Sequence, residues 1–185
     1  RYVSRAGLKL VGAAKAFNLN FRDKMVLDVG SSTGGFTDFA LQHGAKKVYA
    51  VDVGTDQLHP SLRGNKRIEL YEKTDIRYFV PNEIPDIVVI DVSFISLRQI
   101  LPHVAKIVDK NTTIVAMVKP QFEAQRQQLT RGGVVKNDGV RRAILREFEQ
   151  WARANFIIIN KADSEVKGAH GNLERFYILR KAGSC

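Results

Sequence analysis

Val26-Leu27-Asp28-Val29-Gly30-Ser31-Ser32-Thr33-Gly34-Gly35-Phe36-Thr37 reads as a strand, a glycine-rich turn and the first residues of a helix. Glycines at such a turn let the backbone bend sharply and approach a ligand, and the helix that follows presents its free N–H groups there. Outward from this stretch, short apolar runs alternate with longer segments of helical period, the pattern of βα units around a parallel sheet. The pattern predicts strands at Met25–Val29, Lys47–Val51, Ile68–Tyr71, Asp86–Asp91, Thr112–Val118, Phe156–Lys161 and Arg175–Leu179. It predicts helices at Ser4–Phe17, Gly35–His43, Leu97–Val108 and Asp138–Ala154, with Ser4 and Asn137 or Asp138 as N-caps. Several strands are nearly continuous valine and isoleucine, as strands covered on both faces are. The last two have no clear helix between them and are expected as an antiparallel pair at one edge. The fold expected is one doubly wound α/β domain, a mostly parallel seven-stranded sheet with an antiparallel edge strand. Gln121–Lys136, polar, glutamine-rich and carrying Gly132-Gly133, has no period and is expected as a mobile loop.

Three ligands compete for the glycine turn. A P-loop needs a lysine after its second glycine, but Phe36 and Thr37 follow Gly35. A dinucleotide fingerprint needs G-x-G-x-x-G, and Ser32 stands at the second glycine position. S-adenosylmethionine remains, a ligand without phosphates that offers a ribose diol, an adenine and an amino acid. Asp52, ending the second strand, is placed to accept from the diol, and Thr74-Asp75-Ile76 to meet the adenine. A tight βα turn with no ligand is the alternative.

The 185 residues fit one domain, and 44% hydrophobic with 26% charged residues allow a substantial core. No apolar stretch approaches the ~18 residues of a helical membrane span; the longest are Ile87–Ile90 and Phe156–Ile159. The single cysteine, Cys185, excludes a disulfide framework and a cysteine-based zinc site, and no metal is expected. The formal charge of +10 favours a polyanionic partner. The chain opens at Arg1 without a charged leader, apolar segment or cleavage site, so it is expected to be part of a longer cytoplasmic protein.

Four charged residues do not suit a core. Asp91 and Lys119 end apolar strands at the carboxyl edge, where ligands bind in open α/β sheets; Glu174 opens the last strand, and Lys9 lies in the first helix near Arg5. Lone buried charges are costly, so each needs a partner. Taken one at a time, each also fits an ordinary surface salt bridge. The ordered set Lys9, Asp91, Lys119, Glu174 resembles the Lys-Asp-Lys-Glu tetrad of FtsJ-like RNA ribose 2′-O-methyltransferases. The likeness to the TlyA-type branch, also called hemolysin A, is closer. It runs through Tyr2-Val3-Ser4-Arg5-Ala6-Gly7-Leu8-Lys9-Leu10, the glycine turn, Asp52-Val53-Gly54 with Gln57-Leu58, Ile90-Asp91-Val92-Ser93-Phe94-Ile95-Ser96-Leu97, and Lys119-Pro120-Gln121-Phe122-Glu123. It covers essentially the whole chain. Ala6, in place of glycine, and Ser32-Thr33 are mild departures that leave the tetrad intact.

The resemblance implies a Rossmann-like methyltransferase domain over residues 1–185, with S-adenosylmethionine as cofactor. It implies cofactor contacts from Asp28, Gly30, Ser31, Ser32, Thr33, Gly34, Gly35, Phe36, Thr37, Asp52, Val53, Thr74, Asp75, Ile76 and Asp91. It implies catalysis by Lys9, Asp91, Lys119 and Glu174, with Lys119 as the base. It further implies ribosomal RNA or ribosomal subunits as substrate, and an RNA-binding domain ahead of Tyr2. Arg5, Lys15, Arg22, Lys24, Arg63, Lys66, Arg67, Arg126, Arg131, Arg141 and Arg142 are candidates to grip phosphates, whereas Phe94 and Phe122 are expected to pack rather than stack a base. Val92-Ser93-Phe94 lacks the Asn/Asp-Pro-Pro-aromatic turn common where exocyclic amines are methylated. Two other classes compete: a membrane-damaging hemolysin, against which the sequence shows neither a span nor a barrel alternation, and an RNA-binding module with an inactive site.

Overall fold

The structure, a computed structural model, describes residues 1–183; Cys185 lies outside them. Seven strands, β1 (Met25–Val29), β2 (Lys47–Val51), β3 (Ile68–Tyr71), β4 (Ile87–Ile90), β5 (Thr113–Val118), β6 (Phe156–Asp163) and β7 (Arg175–Lys181), form one sheet ordered β3-β2-β1-β4-β5-β7-β6. The first five pair in parallel, and β7 runs antiparallel to both β5 and β6. The expected antiparallel pair is therefore present. Its reversed strand is inserted next to the edge, and β6 forms the edge itself.

Successive side chains of a strand point to opposite faces, and the sheet is apolar on both. Leu27, Val29, Val88, Ile90, Ile114 and Ala116 pack beneath α3 (Leu101–Ile107) and α5 (Asp138–Ala152). Val26, Val48, Val89, Val115 and Met117 pack beneath α1 (Arg5–Phe17) and α2 (Gly35–Gln42). Each fully buried side chain of this size stabilises by ~1.5–3 kcal/mol, so the two covered faces hold the strand ends rigid. Helices α1 and α2 meet closely because Gly7 and Gly35 have no side chains. A Cβ on Gly35 would collide with Ser4 Oγ and crowd Ala6, and one on Gly7 would press on Tyr2.

Two expected elements change form. Leu97–Val108 divides into a 3-10 turn, Leu97–Gln99, and α3, whose first turn contains Pro102. A proline has no N–H to continue an existing helix but is accommodated in a first turn. Gln121–Lys136 is not free loop: it opens with the short helix α4 (Pro120–Glu123) and a 3-10 turn at Arg126–Gln128 closed by a Gln125–Gln128 capping box. A Leu129–Val135 bridge then closes a hairpin, and Asn172 ties it down by accepting from Val135 N and donating to the Gly133 carbonyl. Ser4 takes the N-cap position of α1 without a side-chain capping bond, whereas Asn137 caps α5 by accepting from Val140 N.

Candidate active site

Asp52, Asp91 and Lys119 each follow directly on β2, β4 and β5, so all three stand at the carboxyl edge. Because β7 is antiparallel, its beginning lies at that same edge, and the pairing of Val118 with Arg175 sets Glu174 near Lys119. Lys9 arrives from α1. The tetrad forms two ion pairs: Lys9 Nζ lies 3.0 Å from Glu174 Oε1, and Lys119 Nζ 2.6 Å from Asp91 Oδ1. The second is a close ion contact rather than an aligned hydrogen bond, since the ammonium donates to Ser93 Oγ at 3.0 Å and Asp91 Oδ1 keeps no aligned donor. Glu174 is 1% exposed. Its other oxygen accepts from Gln121 Nε2 at 3.2 Å, and Gly168 lies so close over the carboxylate that a Cβ there would collide with it.

The glycine turn and the edge enclose a cleft of about 480 Å³. Gly30 has φ +80°, and a Cβ there would collide with the Asp91 carbonyl, so only glycine allows the two strand ends to close together. Of the residues expected at a cofactor, Gly30, Ser32, Asp52, Val53, Thr74, Asp75, Ile76 and Asp91 line this cleft. Asp52 is oriented by two backbone donors, Ser32 N at 2.8 Å and Gly54 N at 2.7 Å, one on each oxygen. Each oxygen keeps a further lone pair for a hydroxyl. The Asp75 carboxylate is engaged by Arg77, which bonds it through its backbone and guanidinium and holds it below the usual carboxylate range.

The rest of the turn does not reach the cleft wall. Phe36 and Thr37 are buried in α2, Phe36 within the core. Gly35 faces α1, Gly34 packs against Leu58 and Leu62, and Thr33 accepts through its carbonyl from His59 N. Ser31 is buried with an unpartnered hydroxyl. Asp28, the penultimate residue of β1, is fully buried. Thr37 Oγ1 donates to one of its oxygens at 2.7 Å, and the other has no partner. Burial, opposed by the Thr37 bond and assisted by Asp91 and Asp52, raises this carboxyl to about 7. The lining is acidic at Asp52 and Asp91 and apolar at Val53, Ile76, Val92, Ile95 and Ile100. It matches a ligand with a diol, a flat base and a positive sulfonium, and it lacks the cationic cradle a triphosphate needs.

Sequence reasoning assigned no role to Arg77, Gln57, Ser93, Ile95 or Ile100, which also line the cleft; Gln57, Ser93 and Ile95 lie within the stretches that carry the family resemblance, whereas Arg77 and Ile100 lie outside them and reach the cleft through the fold. Phe94, expected to pack, is 89% exposed at the mouth, with φ +64° and its ring 5.0 Å from Phe122. Among the basic candidates, Arg141 is buried and spent on Asp163 and the Leu173 carbonyl, and Arg67 donates to the carbonyls of Leu41 and Ala45. Arg5, Arg126 and Arg131 remain exposed.

A doubly wound sheet with an acid-lined cleft beside its glycine turn, and a reversed strand inserted before the edge, defines a Rossmann-like S-adenosylmethionine-dependent methyltransferase. Residues 2–182 match the family model described as FtsJ-like methyltransferase, and the chain belongs to that family. It is 44% identical over 179 residues to a Bacillus subtilis protein named as an rRNA methyltransferase, YqxC, covering 94% of this chain and 64% of that protein. It is 40% identical over 183 residues to the Mycobacterium tuberculosis 16S/23S rRNA (cytidine-2'-O)-methyltransferase TlyA, covering 97% of this chain and 68% of the relative. A solved structure from Streptococcus thermophilus with hemolysin in its name superposes with a TM-score of 0.94 at 45% identity, over 100% of this chain and 68% of that one. No helix among the described residues is long and apolar enough to cross a membrane.

Proposed function

We propose that the chain is the catalytic part of a longer cytoplasmic protein that methylates a ribose 2′-hydroxyl of ribosomal RNA, as the mycobacterial relative's name states for that protein. The observation that supports the reading is a single cleft lined by the Asp52 carboxylate and by Asp91 and Ser93, the two residues that hold the Lys119 ammonium. Bound there, S-adenosylmethionine supplies an electrophilic methyl group. Asp52 accepts from its ribose hydroxyls, and the apolar lining takes its base. Asp75, already held by Arg77, shares its carboxylate with the adenine amine.

At the other end, Asp91 and Ser93 fix the Lys119 side chain where an RNA hydroxyl would enter. Lys119 is the base toward the 2′-hydroxyl as the oxygen attacks, and Lys9 and Glu174 stand beside it as a second charged pair. Holding the reactants in line is the larger contribution, because positioning alone removes several kcal/mol of barrier. Exposed Phe94 offers a ring at the mouth on which a base can stack. The reading is tested by calorimetric titration of S-adenosylmethionine into the protein and an Asp52→Ala variant, followed by transfer of labelled methyl to ribosomal RNA. Cofactor binding lost in the variant, with label at a ribose 2′-oxygen, supports it. Binding unaffected by the substitution, or label on a base nitrogen, overturns it.

A further inference from the structure

Glu123 is nearly buried, the last residue of α4, and belongs to neither ion pair. Its Oε1 accepts from Ser96 Oγ at 2.6 Å and its Oε2 from Leu97 N at 2.9 Å. The Arg98 Nε is 3.9 Å from Oε1. Burial raises its carboxyl above the ordinary range, against the bonds from Ser96 and Leu97 and the charge of Arg98. A buried carboxylate is costly unless its oxygens are satisfied, and here both are satisfied by one segment, the loop that carries Asp91.

That segment and the one carrying Lys119 are joined at three successive levels. Lys119 meets Asp91 and Ser93, Phe122 meets Phe94 at 5.0 Å, and Glu123 meets Ser96 and Leu97. The first level holds the reacting groups. The second holds Phe94 at φ +64°, a conformation unfavourable for a bulky residue and maintained only where neighbours impose it. The third is the only one of the three in which a single carboxylate accepts two directed hydrogen bonds. From the same short helix, Gln121 reaches back to Glu174, so α4 contacts one half of the tetrad directly and the other through the loop that follows Asp91.

We infer that Glu123 is a positioning residue: its carboxylate clamps the Asp91–Leu97 loop onto α4 and thereby fixes Asp91, Ser93 and Phe94 relative to Lys119. The inference rests on the methyl-transfer reading for its consequence but not for its geometry. Removing the clamp frees the loop by an ångström or so, a displacement that costs up to about 100-fold in rate when reacting groups must align.

Two readouts on the full-length protein test it. Hydrogen exchange reads the clamp without activity: Glu123→Ala should speed exchange of the Leu97 amide and its neighbours at least 10-fold while α5 and β1 stay protected. Methyl transfer reads the consequence. In Glu123→Ala, kcat should fall about 10- to 100-fold with cofactor affinity unchanged. Glu123→Gln keeps one good acceptor and should retain an intermediate kcat, the rescue that general unfolding would not give. Unchanged exchange at Leu97 overturns the clamp, and faster exchange with unchanged kcat overturns its role. Faster exchange in a protein whose unsubstituted form transfers no methyl group overturns the functional reading instead, and with it any part for Glu123 in the reaction.

Discussion

Two buried carboxylates in this molecule have opposite fates. Glu149, on α5, accepts from Tyr177 Oη at 2.6 Å and Lys161 Nζ at 2.9 Å, with Arg153 and Arg175 within 4 Å. Burial alone would raise its carboxyl, but the bonds from Tyr177 and Lys161 and the charges of Lys161 and Arg175 bring it below the ordinary value. Asp28, on β1, has one neutral partner, an empty second oxygen and a carboxyl raised to about 7. The contrast extends beyond these two. Every buried side-chain atom without a hydrogen-bond partner among the described residues, on Asp28, Ser31, Asp91, Arg98 and Gln121, belongs to the carboxyl edge or the segments that leave it. The network around Glu149 has none. Both regions cluster charged side chains; unmet bonding capacity distinguishes the one that lies at the cleft.

Substitutions can break that contrast. The largest effect is expected for Lys119→Ala, which should lower methyl transfer by about 1,000-fold or more while calorimetry shows cofactor affinity within a few-fold. A large loss of cofactor binding would show that Lys119 belongs to the cofactor's end of the cleft. Glu149→Ala should do the reverse. Leaving Lys161 and Tyr177 without their shared acceptor should cost about 3 kcal/mol in denaturant unfolding, with kcat of the folded protein unchanged. A drop in kcat without a drop in stability would erase the distinction between the regions.

The two carboxylates also differ in pH dependence. Folded Asp28 holds a proton between its unfolded value of 3.8 and about 7. Raising the pH through that window therefore favours the unfolded chain, and stability is lost by on the order of a few kcal/mol. Glu149 stays ionised where the unfolded chain takes up a proton, so its contribution is full above the ordinary glutamate value of 4.5 and lost as pH falls below it. Unfolding at a series of pH values should show Asp28→Asn gaining on the unsubstituted protein from pH 5 to 8; a constant difference would mean that Asp28 does not titrate in this range.

Smaller effects sharpen the cleft itself. Asp52→Ala removes the acceptor of two hydroxyls, each bond contributing ~1–1.5 kcal/mol, and should weaken cofactor binding about 30- to 100-fold by titration. Phe94→Ala should raise KM for RNA about 10-fold with a lesser change in kcat, the amount one stacked base contributes. An unchanged KM would return Phe94 to a local role against Phe122.

Much of the fold is legible locally. The strands Met25–Val29, Lys47–Val51 and Ile68–Tyr71 fall where apolar periodicity puts them, because strands buried on both faces require unbroken runs of apolar residues. The divided helix at Leu97–Ile107 and the folded hairpin within Gln121–Lys136 were not legible. Their form depends on Glu123, Asn172 and Pro102 meeting partners that periodicity does not report. In the candidate site, Asp52 and Asp91 stand out as acids at strand ends. Lys9 and Glu174 stand out only through family resemblance, since neither sits in a local pattern that marks chemistry. In the glycine turn, Gly34, Gly35 and Phe36 also meet the demands of helix packing, which asks for small residues and apolar rings as a ligand loop does.

Steric limits on the backbone and burial on both strand faces act over a few residues, so the strands, the turn at Gly30 and the acids at strand ends can be read from the chain alone. Which charges meet depends on the assembled sheet. Lys9 and Glu174 are 165 positions apart, and they pair because β7 enters the sheet in reverse beside β5 and starts where the parallel strands end.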